Sequence, residues 1–471
     1  MRKAILLAAL LAAAPCASAP AGTDWTTFGG NMQREGFNAH ESVLTKAAVP
    51  QLTEHWEQDL NGPLLTQPTV ARGIATAQGK LDLVFAANMY GGVFALNADT
   101  GAKIWKTKLA DVQTDCPDFQ SSQGYFGVAG TPTLDLPNNR MLVVDGVGML
   151  HALDLGSGQD DAGFPIQILD STNQGVSFVY GSPTLSGSTL YVATSGVCDS
   201  PPSQGEVIAV DLNAPRVTGR WFVTGQGGPS GGGIWGFGGV SLEPDGSSLY
   251  AATGNAYSSP ANYPNAERVV QLSPDLQVLA ADAPSLGGSD SDFGATPLVF
   301  DPPGCPPMLA AMNKIGKLFV YDRTQIGNGP IQTLQIVQDG SGNGNFIGIP
   351  AYDPATEAIY FGSPSNNLPY HHGLIALSVG SDCRLSLRWN RRIGLNTVDP
   401  QNPMIPPTIA HGVVWYADGD ASRLAAFGAN GGRPLWNSGS TIAGGIFTSP
   451  TVANGQVFVA AFNHLLYAFG L

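Results

Sequence analysis

Ser449-Pro-Thr-Val-Ala-Asn-Gly-Gln-Val-Phe-Val-Ala-Ala-Phe-Asn-His-Leu-Leu-Tyr-Ala-Phe-Gly-Leu471 is the stretch that decides the fold. It holds three short β-forming runs: Ser449-Pro-Thr-Val452, Val457-Phe-Val-Ala460 and Tyr467-Ala-Phe469. Asn-Gly and Asn-His separate them, and Asn-Gly between apolar runs signals a hairpin. The sheet so formed is one strand short. Thr53-Glu-His-Trp-Glu-Gln-Asp-Leu60, at the other end of the chain, is the strand expected to complete it. Such a closure joins the two ends of a ring and removes two exposed sheet edges.

The rest of the chain repeats this unit at a period of roughly 40–60 residues, the mark of a repeat fold. Openings like Ser449-Pro-Thr-Val452 recur at Gln67-Pro-Thr-Val70, Thr131-Pro-Thr-Leu134, Ser182-Pro-Thr-Leu185, Thr296-Pro-Leu-Val299, Ile349-Pro-Ala-Tyr352 and Pro406-Pro-Thr-Ile409. Gly239-Val-Ser-Leu242 is the one without proline. A second run follows each opening, as at Leu83-Val-Phe-Ala86 and Leu190-Tyr-Val-Ala193, and a third at Phe94-Ala-Leu96 or Ile208-Ala-Val210. A fourth often carries tryptophan: Trp105, Trp221, Trp389, Trp436 and, in the closing strand, Trp56. Four strands per unit are propeller blades. The expectation is an all-β chain, a single eight-bladed β-propeller over 22–471 with almost no helix.

Composition agrees. Of 471 residues, 60 are glycine and 35 proline, yet 43% are hydrophobic, so the glycine and proline belong to turns between buried strands and not to disorder. Residues 1–21 read as a signal peptide: Arg2 and Lys3, an apolar run from Ala4 to Ala14, then small residues with Ala19-Pro-Ala21 as the cleavage site. Pro15 argues against lipidation at Cys16. A periplasmic or secreted location follows, with no transmembrane segment expected in the mature chain. Losing the two basic residues Arg2 and Lys3 takes the formal charge from −14 to −16, which disfavours nucleic acid and anionic lipid as partners.

Four cysteines remain, without Cys-x-x-Cys or a haem-attachment motif. Label the strands of each blade A (inner) to D (outer). B–C hairpins and D–A connections then share one face; A–B and C–D turns share the other. Cys116 falls in a D–A connection and Cys198 in the B–C loop of the next blade. Cys305 falls in an A–B turn and Cys383 in the C–D turn of the next blade. The topology therefore predicts disulfides 116–198 and 305–383.

The opening Asp24-Trp-Thr-Thr-Phe-Gly-Gly30, with Asn31-Met-Gln-Arg34 after it, and blade endings such as Ala95-Leu-Asn-Ala-Asp-Thr-Gly101 followed by Trp105, resemble the pyrroloquinoline-quinone (PQQ) repeat superfamily over nearly the whole mature chain. That superfamily holds quinoprotein alcohol dehydrogenases and also non-enzymatic propellers of outer-membrane assembly. Gly231-Gly-Gly-Ile-Trp235 and Thr253-Gly-Asn255 are similar to the dehydrogenases' GGG…WG…TGN run. The resemblance implies Trp235 as a platform under PQQ, the glycines around Gly233 as a close backbone approach to the cofactor, and Asn255 as a Ca²⁺ ligand. It further implies Asp292 as metal ligand and catalytic base, and Lys314 as the cation on the quinone oxygens. Asp199 is the candidate third ligand, in a loop where the dehydrogenases carry a longer acid. The vicinal disulfide of the alcohol-oxidising enzymes is absent; Cys116-Pro117-Asp118 lies near its place.

The expectation drawn is a PQQ- and Ca²⁺-dependent oxidoreductase, taking a small-molecule or polymeric alcohol and passing electrons to a separate acceptor. Its compact length is closer to the polyvinyl-alcohol-dehydrogenase branch, without that branch's haem module. The alternative is a non-catalytic envelope propeller acting as an assembly scaffold; a third is a sugar- or polymer-binding module. Each residue also has a plain reading: Trp235 as core, Asn255 and Asp292 as turn residues like Asn88 and Asp145, Lys314 as a solvated hairpin lysine. His371-His372 reads as loop histidines, because adjacent strand residues face opposite ways.

Overall fold

The computed structural model describes residues 23–116, 122–170, 175–199 (Asp199 by its backbone only), 201–257, 263–287, 291–337, 349–364, 366–393, 405–419 and 422–471. Eight blades of four antiparallel strands follow one another in chain order, and in the seventh Phe37–Asn38 adds a fifth strand parallel to the inner one. The first blade is Thr69–Thr76, Gly79–Ala87, Gly92–Asn97 and Lys103–Lys108. The last is Thr451–Ala453, Gln456–Ala460 and Leu465–Gly470, completed by Thr53–Asp59 from the other end of the chain, with Glu57 opposite Tyr467. The closure expected from the sequence is borne out, as is the scarcity of helix: the helical pieces among the described residues are short 3₁₀ turns. Both predicted disulfides are present, Cys116–Cys198 and Cys305–Cys383, with Cα separations of 5.9 and 5.5 Å.

The tryptophans of the outer strands explain the repeat's spelling. Trp56 donates its indole N–H to the Ala98 carbonyl (2.9 Å), Trp105 to Leu155 (2.8 Å) and Trp389 to Ala429 (2.8 Å), each in the following blade. Three residues after each acceptor stands a glycine, Gly101, Gly158 or Gly432, with φ of +69°, +70° and +63°. A Cβ on any of them would come within 2.5–2.6 Å of the indole. The turn must therefore bend left-handed and leave the ring's place empty, and glycine does both without strain. Trp436 closes the circle onto the Leu52 carbonyl (3.0 Å).

The sequence marks a further element only as a family opening. Residues 24–38 wind around the propeller axis and meet the inner strand of every blade. Trp25 pairs with Val70 in both directions. The carbonyls of Thr26, Met32, Gln33, Glu35 and Gly36 accept from the backbone N–H of Leu134, Leu242, Val299, Tyr352 and Ile409. Asn38 donates its side-chain amide to the Val452 carbonyl (2.8 Å). The remaining blade is reached by Arg34, whose guanidinium donates to Thr184 Oγ1 (2.6 Å) and the Ser182 carbonyl as well as to Thr27 Oγ1 and the Phe28 carbonyl. Inner strands face the channel with unpaired backbone groups, and this segment satisfies them. Arg34 is 1% exposed, and burial pushes its ionisation down to about 9, still above neutral pH. Replacing Arg34 with methionine leaves these oxygens unpaired and is expected to cost on the order of 3 kcal/mol in denaturant unfolding; a loss under about 0.5 kcal/mol would show that the axial segment holds without it.

His151 in blade two is clamped between two acids. Its Nδ1 lies 2.8 Å from Asp160 Oδ2 and its Nε2 3.4 Å from Asp145 Oδ2. Burial lowers its pKa, but hydrogen bonds to Asp145 and Asp160, and their charge, raise it by more, so the net shift is upward. A raised histidine contributes stability fully below its unfolded value of about 6.5, and loses it as pH climbs through the higher folded value. The melting temperature should therefore fall on going from mildly acidic to alkaline pH, and His151→Gln should remove that component of the slope. An unchanged slope in the variant would contradict the assignment.

Candidate active site

The glycine-rich run enters blade four as a D–A connection held from two sides. Gly231 bridges to Gln204 of blade three and to Ala256 of blade four. Gly232 N–H reaches the Asn255 carbonyl (2.7 Å), Gly254 N–H the Gly233 carbonyl (2.8 Å), and Ile234 N–H the Thr194 carbonyl (2.9 Å). The space that a Cβ would take at Gly233 is filled by the Trp235 indole, 2.8 Å away. Gly233 thus seats the tryptophan. Gly254 does the same from the facing strand: a Cβ there would meet Gly233 O and Trp235 Nε1 at 2.8 Å and Asp292 Oδ2 at 3.0 Å.

Blade five supplies the charged groups. The D–A connection before Leu298–Phe300 pairs with that blade's B–C hairpin through a Phe293–Asn313 bridge and the bond from Lys314 N–H to the Asp292 carbonyl (2.9 Å). Lys314 Nζ then lies 2.8 Å from Asp292 Oδ1, with the two side chains 5% and 0% exposed. The same ammonium stands 5.6 Å from the Trp235 ring centroid. Asp292 Oδ2 accepts from the Asn255 backbone N–H at 3.3 Å. Trp235, Asn255, Asp292 and Lys314 are therefore one constellation on the B–C face. Lys314 is no solvated hairpin lysine.

The plain reading of Asn255 and Asp292 as turn residues can be tested against the other blades. The residue just after strand B caps its own B–C hairpin: Asn88 Oδ1 accepts from Gly92 N–H, Asp145 Oδ1 from Met149 N–H, Thr194 Oγ1 from Glu206 N–H, Asn313 Oδ1 from Lys317 N–H. In blade four this cap is Thr253, whose Oγ1 accepts from Arg268 N–H (2.9 Å). Asn255 lies two residues beyond it, and its buried Oδ1 has no hydrogen-bond partner among the described residues. Asp292 precedes strand A. Neither occupies the cap position that accounts for Asn88 and Asp145.

Tyr180 was not singled out from the sequence. It stands edge-on to Trp235 (ring centroids 6.1 Å) and stacks on Phe237 (5.9 Å), with Phe126 behind it at 6.0 Å. The signal was its place in a D–A connection, two residues before Ser182-Pro183 as Phe237 is two before Gly239, on the same side of the blades as Trp235 and Asp292. The Cys116–Cys198 bridge packs in the cluster behind it with Phe126 and Phe178. Asp199 follows in the 3₁₀ turn Val197–Asp199; its side chain, like Pro117 and Asp118, lies outside the described residues. His371 Nδ1 lies 3.5 Å from the Arg392 guanidinium, and the His372 backbone N–H bonds Asn366.

For a metal, the described donors are the Asn255 amide oxygen and the Asp292 carboxylate. No group of three or more His, Cys, Asp or Glu that could hold an ion gathers among the described residues. A buried amide oxygen without a partner beside a carboxylate suits part of the shell of a hard, oxygen-seeking cation, with the remainder to come from a bound ligand and water.

No family model matches the chain. A polyvinylalcohol dehydrogenase from a Pseudomonas species is 22% identical over 496 residues, spanning 92% of this chain and 72% of that protein. Among solved structures, the fold is similar to a quinohemoprotein alcohol dehydrogenase from Comamonas testosteroni (TM-score 0.67, 16% identity, 95% of this chain and 80% of that one). It is also similar to a europium-containing methanol dehydrogenase (TM-score 0.70, 15% identity, 95% and 98%) and to BamB from Moraxella catarrhalis (TM-score 0.57, 15% identity, 89% and 98%). The likeness to PQQ-type propellers read from the repeats is borne out. No helix among the described residues is long and apolar enough to cross a membrane.

The packing at Gly254 yields a test that needs no ligand. Gly254→Ala should push the Trp235 indole off its seat, cost about 1–3 kcal/mol and shift tryptophan fluorescence. A variant with parental stability and spectrum would mean that the strand backs away and that the seat does not fix the ring.

Proposed function

We propose that the chain is an exported quinoprotein-type oxidoreductase that oxidises an alcohol or polyol with PQQ and Ca²⁺ and hands the electrons to a separate acceptor. The observation that carries this reading is the buried Lys314–Asp292 pair against the face of Trp235, beside the Asn255 Oδ1 that no described residue satisfies. Bound PQQ would supply the two-electron acceptor, and the cation would supply a Lewis acid.

The chain's own groups have distinct tasks. The Trp235 ring offers a flat apolar platform, edged by Tyr180. Asn255 Oδ1 and Asp292 are the oxygen donors to the cation; Asp199 is proposed as a third. Asp292 takes the hydroxyl proton of the substrate at its carboxylate while hydride leaves the carbinol carbon. Lys314 Nζ holds the ionised Asp292 in place and is within reach to donate to negative charge that develops beside the Trp235 face. Burial of both groups strengthens these interactions, because water does not screen them. The sequence relative and the neighbouring folds support alcohol oxidation in general terms. Calcium is proposed over a trivalent ion because one of the two described donors is a neutral amide.

Calorimetric titration of the purified protein with PQQ in the presence of Ca²⁺ should give saturable one-to-one binding that Trp235→Ala weakens. Asp292→Asn should lower dye-linked oxidation of a responsive alcohol by about 10²-fold or more without loss of fold. Absence of PQQ binding would overturn the reading and favour the scaffold propeller, in which Asp292→Asn changes nothing.

A further inference from the structure

Away from the B–C face that carries Trp235, the C–D turn of blade seven and the chain leading into Thr53–Asp59 enclose a cleft of about 570 Å³. The turn joins Arg423–Gly428 to Pro434–Asn437 and brings Asn430 and Arg433 to one wall. Lys46 and Pro50 stand on the other. Gly412, in the A–B turn of the same blade, leaves room for the Lys46 stem: a Cβ there would lie 3.1 Å from both Cε and Nζ. Among the described residues, the Lys46 and Arg433 side chains make no hydrogen bond or ion pair. No residue lining the cleft is acidic. In a chain with 36 acidic and 22 basic residues, an acid-free cleft holding two cations is not what even mixing gives.

The back of the turn is cationic too. Arg388 of blade six donates through Nε to the Asn430 carbonyl (3.2 Å), and Arg391 through Nε to Gly432 (2.6 Å) and Nη2 to Gly431 (2.7 Å). Carbonyls that would repel an anion are thus engaged from behind. Arg388 Nη2 also donates to Asn430 Oδ1 (3.4 Å), which leaves the amide N–H groups of Asn430 to donate elsewhere. Asp353 shares the surroundings of Arg388, but it is 1% exposed and its carboxylate accepts from Ala355 N–H and Thr356 Oγ1.

We propose that this cleft binds a small organic anion, an apolar body ending in a carboxylate or a phosphate, at a site separate from the Trp235 centre. The Arg433 fork can take two oxygens of either group side by side, and the Lys46 ammonium and the Asn430 amide can take the rest. Pro50, Pro434 and Leu435 form an apolar wall for the body. The volume is within the range of ligand pockets, roughly 300–1,000 Å³. A neutral ligand would leave four like charges gathered around one turn, whereas an anion relieves their repulsion. The site does not depend on the proposed oxidation, and either reading can fail without the other.

The test uses the full mature chain without added cofactor. Isothermal titration with hexanoate and, separately, with hexyl phosphate distinguishes the two head groups. Saturable binding of at least one is expected, weakened by added salt and weakened about tenfold or more by Arg433→Gln and by Lys46→Gln. Both side chains are exposed and make no internal bonds, so the variants should keep the parental melting temperature. Hexanol should not bind, and the bare head groups, acetate and inorganic phosphate, should bind more weakly than the hexyl compounds. Binding of neither hexyl anion, hexanol binding as tight as theirs, or parental affinity in Arg433→Gln overturns the proposal. Equal affinity for the bare and the hexyl anions overturns it as a site for an organic anion and leaves an adventitious ion only.

Discussion

Three of the eight blade junctions share one contact, the indole N–H of an outer-strand tryptophan reaching over a left-handed glycine to a carbonyl of the next blade. It fixes the distance and rotation between neighbours, because the ring fits only where the glycine leaves space and the carbonyl is oriented toward it. Its value lies in the apolar surface removed from water together with a satisfied buried donor. Around blades four and five the contact gives way to polar ones. Their outer strands, Val278–Asp282 and Gln332–Gln335, contain no tryptophan. Arg323 of blade five instead grips Glu243 of blade four through two bonds of 2.6 and 2.8 Å and pairs with Asp301, while Tyr321 donates to Asp282 (2.9 Å). The Arg323–Glu243–Asp301 clasp lies on the face opposite the candidate site. The two blades that must present Trp235, Asn255, Asp292 and Lys314 in register are thus locked from beneath by directional bonds.

The axial segment gives the propeller its second constraint. By pairing with inner strands around the ring, it turns a channel into packed interior. The cavity left beside Phe28, Gly29 and Arg34 is only about 10 Å³, room for roughly one water molecule. Beside Arg34 the segment therefore leaves no room for a ligand. The candidate site lies on the B–C face, on blades four and five.

Much of this was legible in the residues, and the reasons are local. The eight openings, the hairpin signals and the closing strand are short-range patterns, and strand alternation carries them into three dimensions. The disulfides followed because blade topology alone sorts loops between two faces. The axial path of residues 24–38 was not legible, because it is a backbone-to-backbone arrangement among distant strands and leaves only glycines in the sequence. Gly36 shows this: its Cβ would lie 2.9 Å from that of Ala351, a residue more than half the chain away. Asn255 and Asn88 looked alike as turn residues. Only the bonds each makes separate the hairpin cap from the amide whose oxygen is left over.

That leftover oxygen bears on why the Lys314–Asp292 pair is there at all. Bringing both charges out of water costs several kcal/mol per ion, and a pair of this kind rarely repays it in stability alone. Apolar side chains would fill the same volume between blades four and five at less cost, as they do in the tryptophan contacts elsewhere in the ring. The hairpin of blade five does not need the pair either, since Asn313 already caps it. What the pair adds is a carboxylate with a fixed orientation and an ammonium held close to an aromatic face. With an amide oxygen beside them that no described residue satisfies, three polar groups of different character converge where packing alone would call for none.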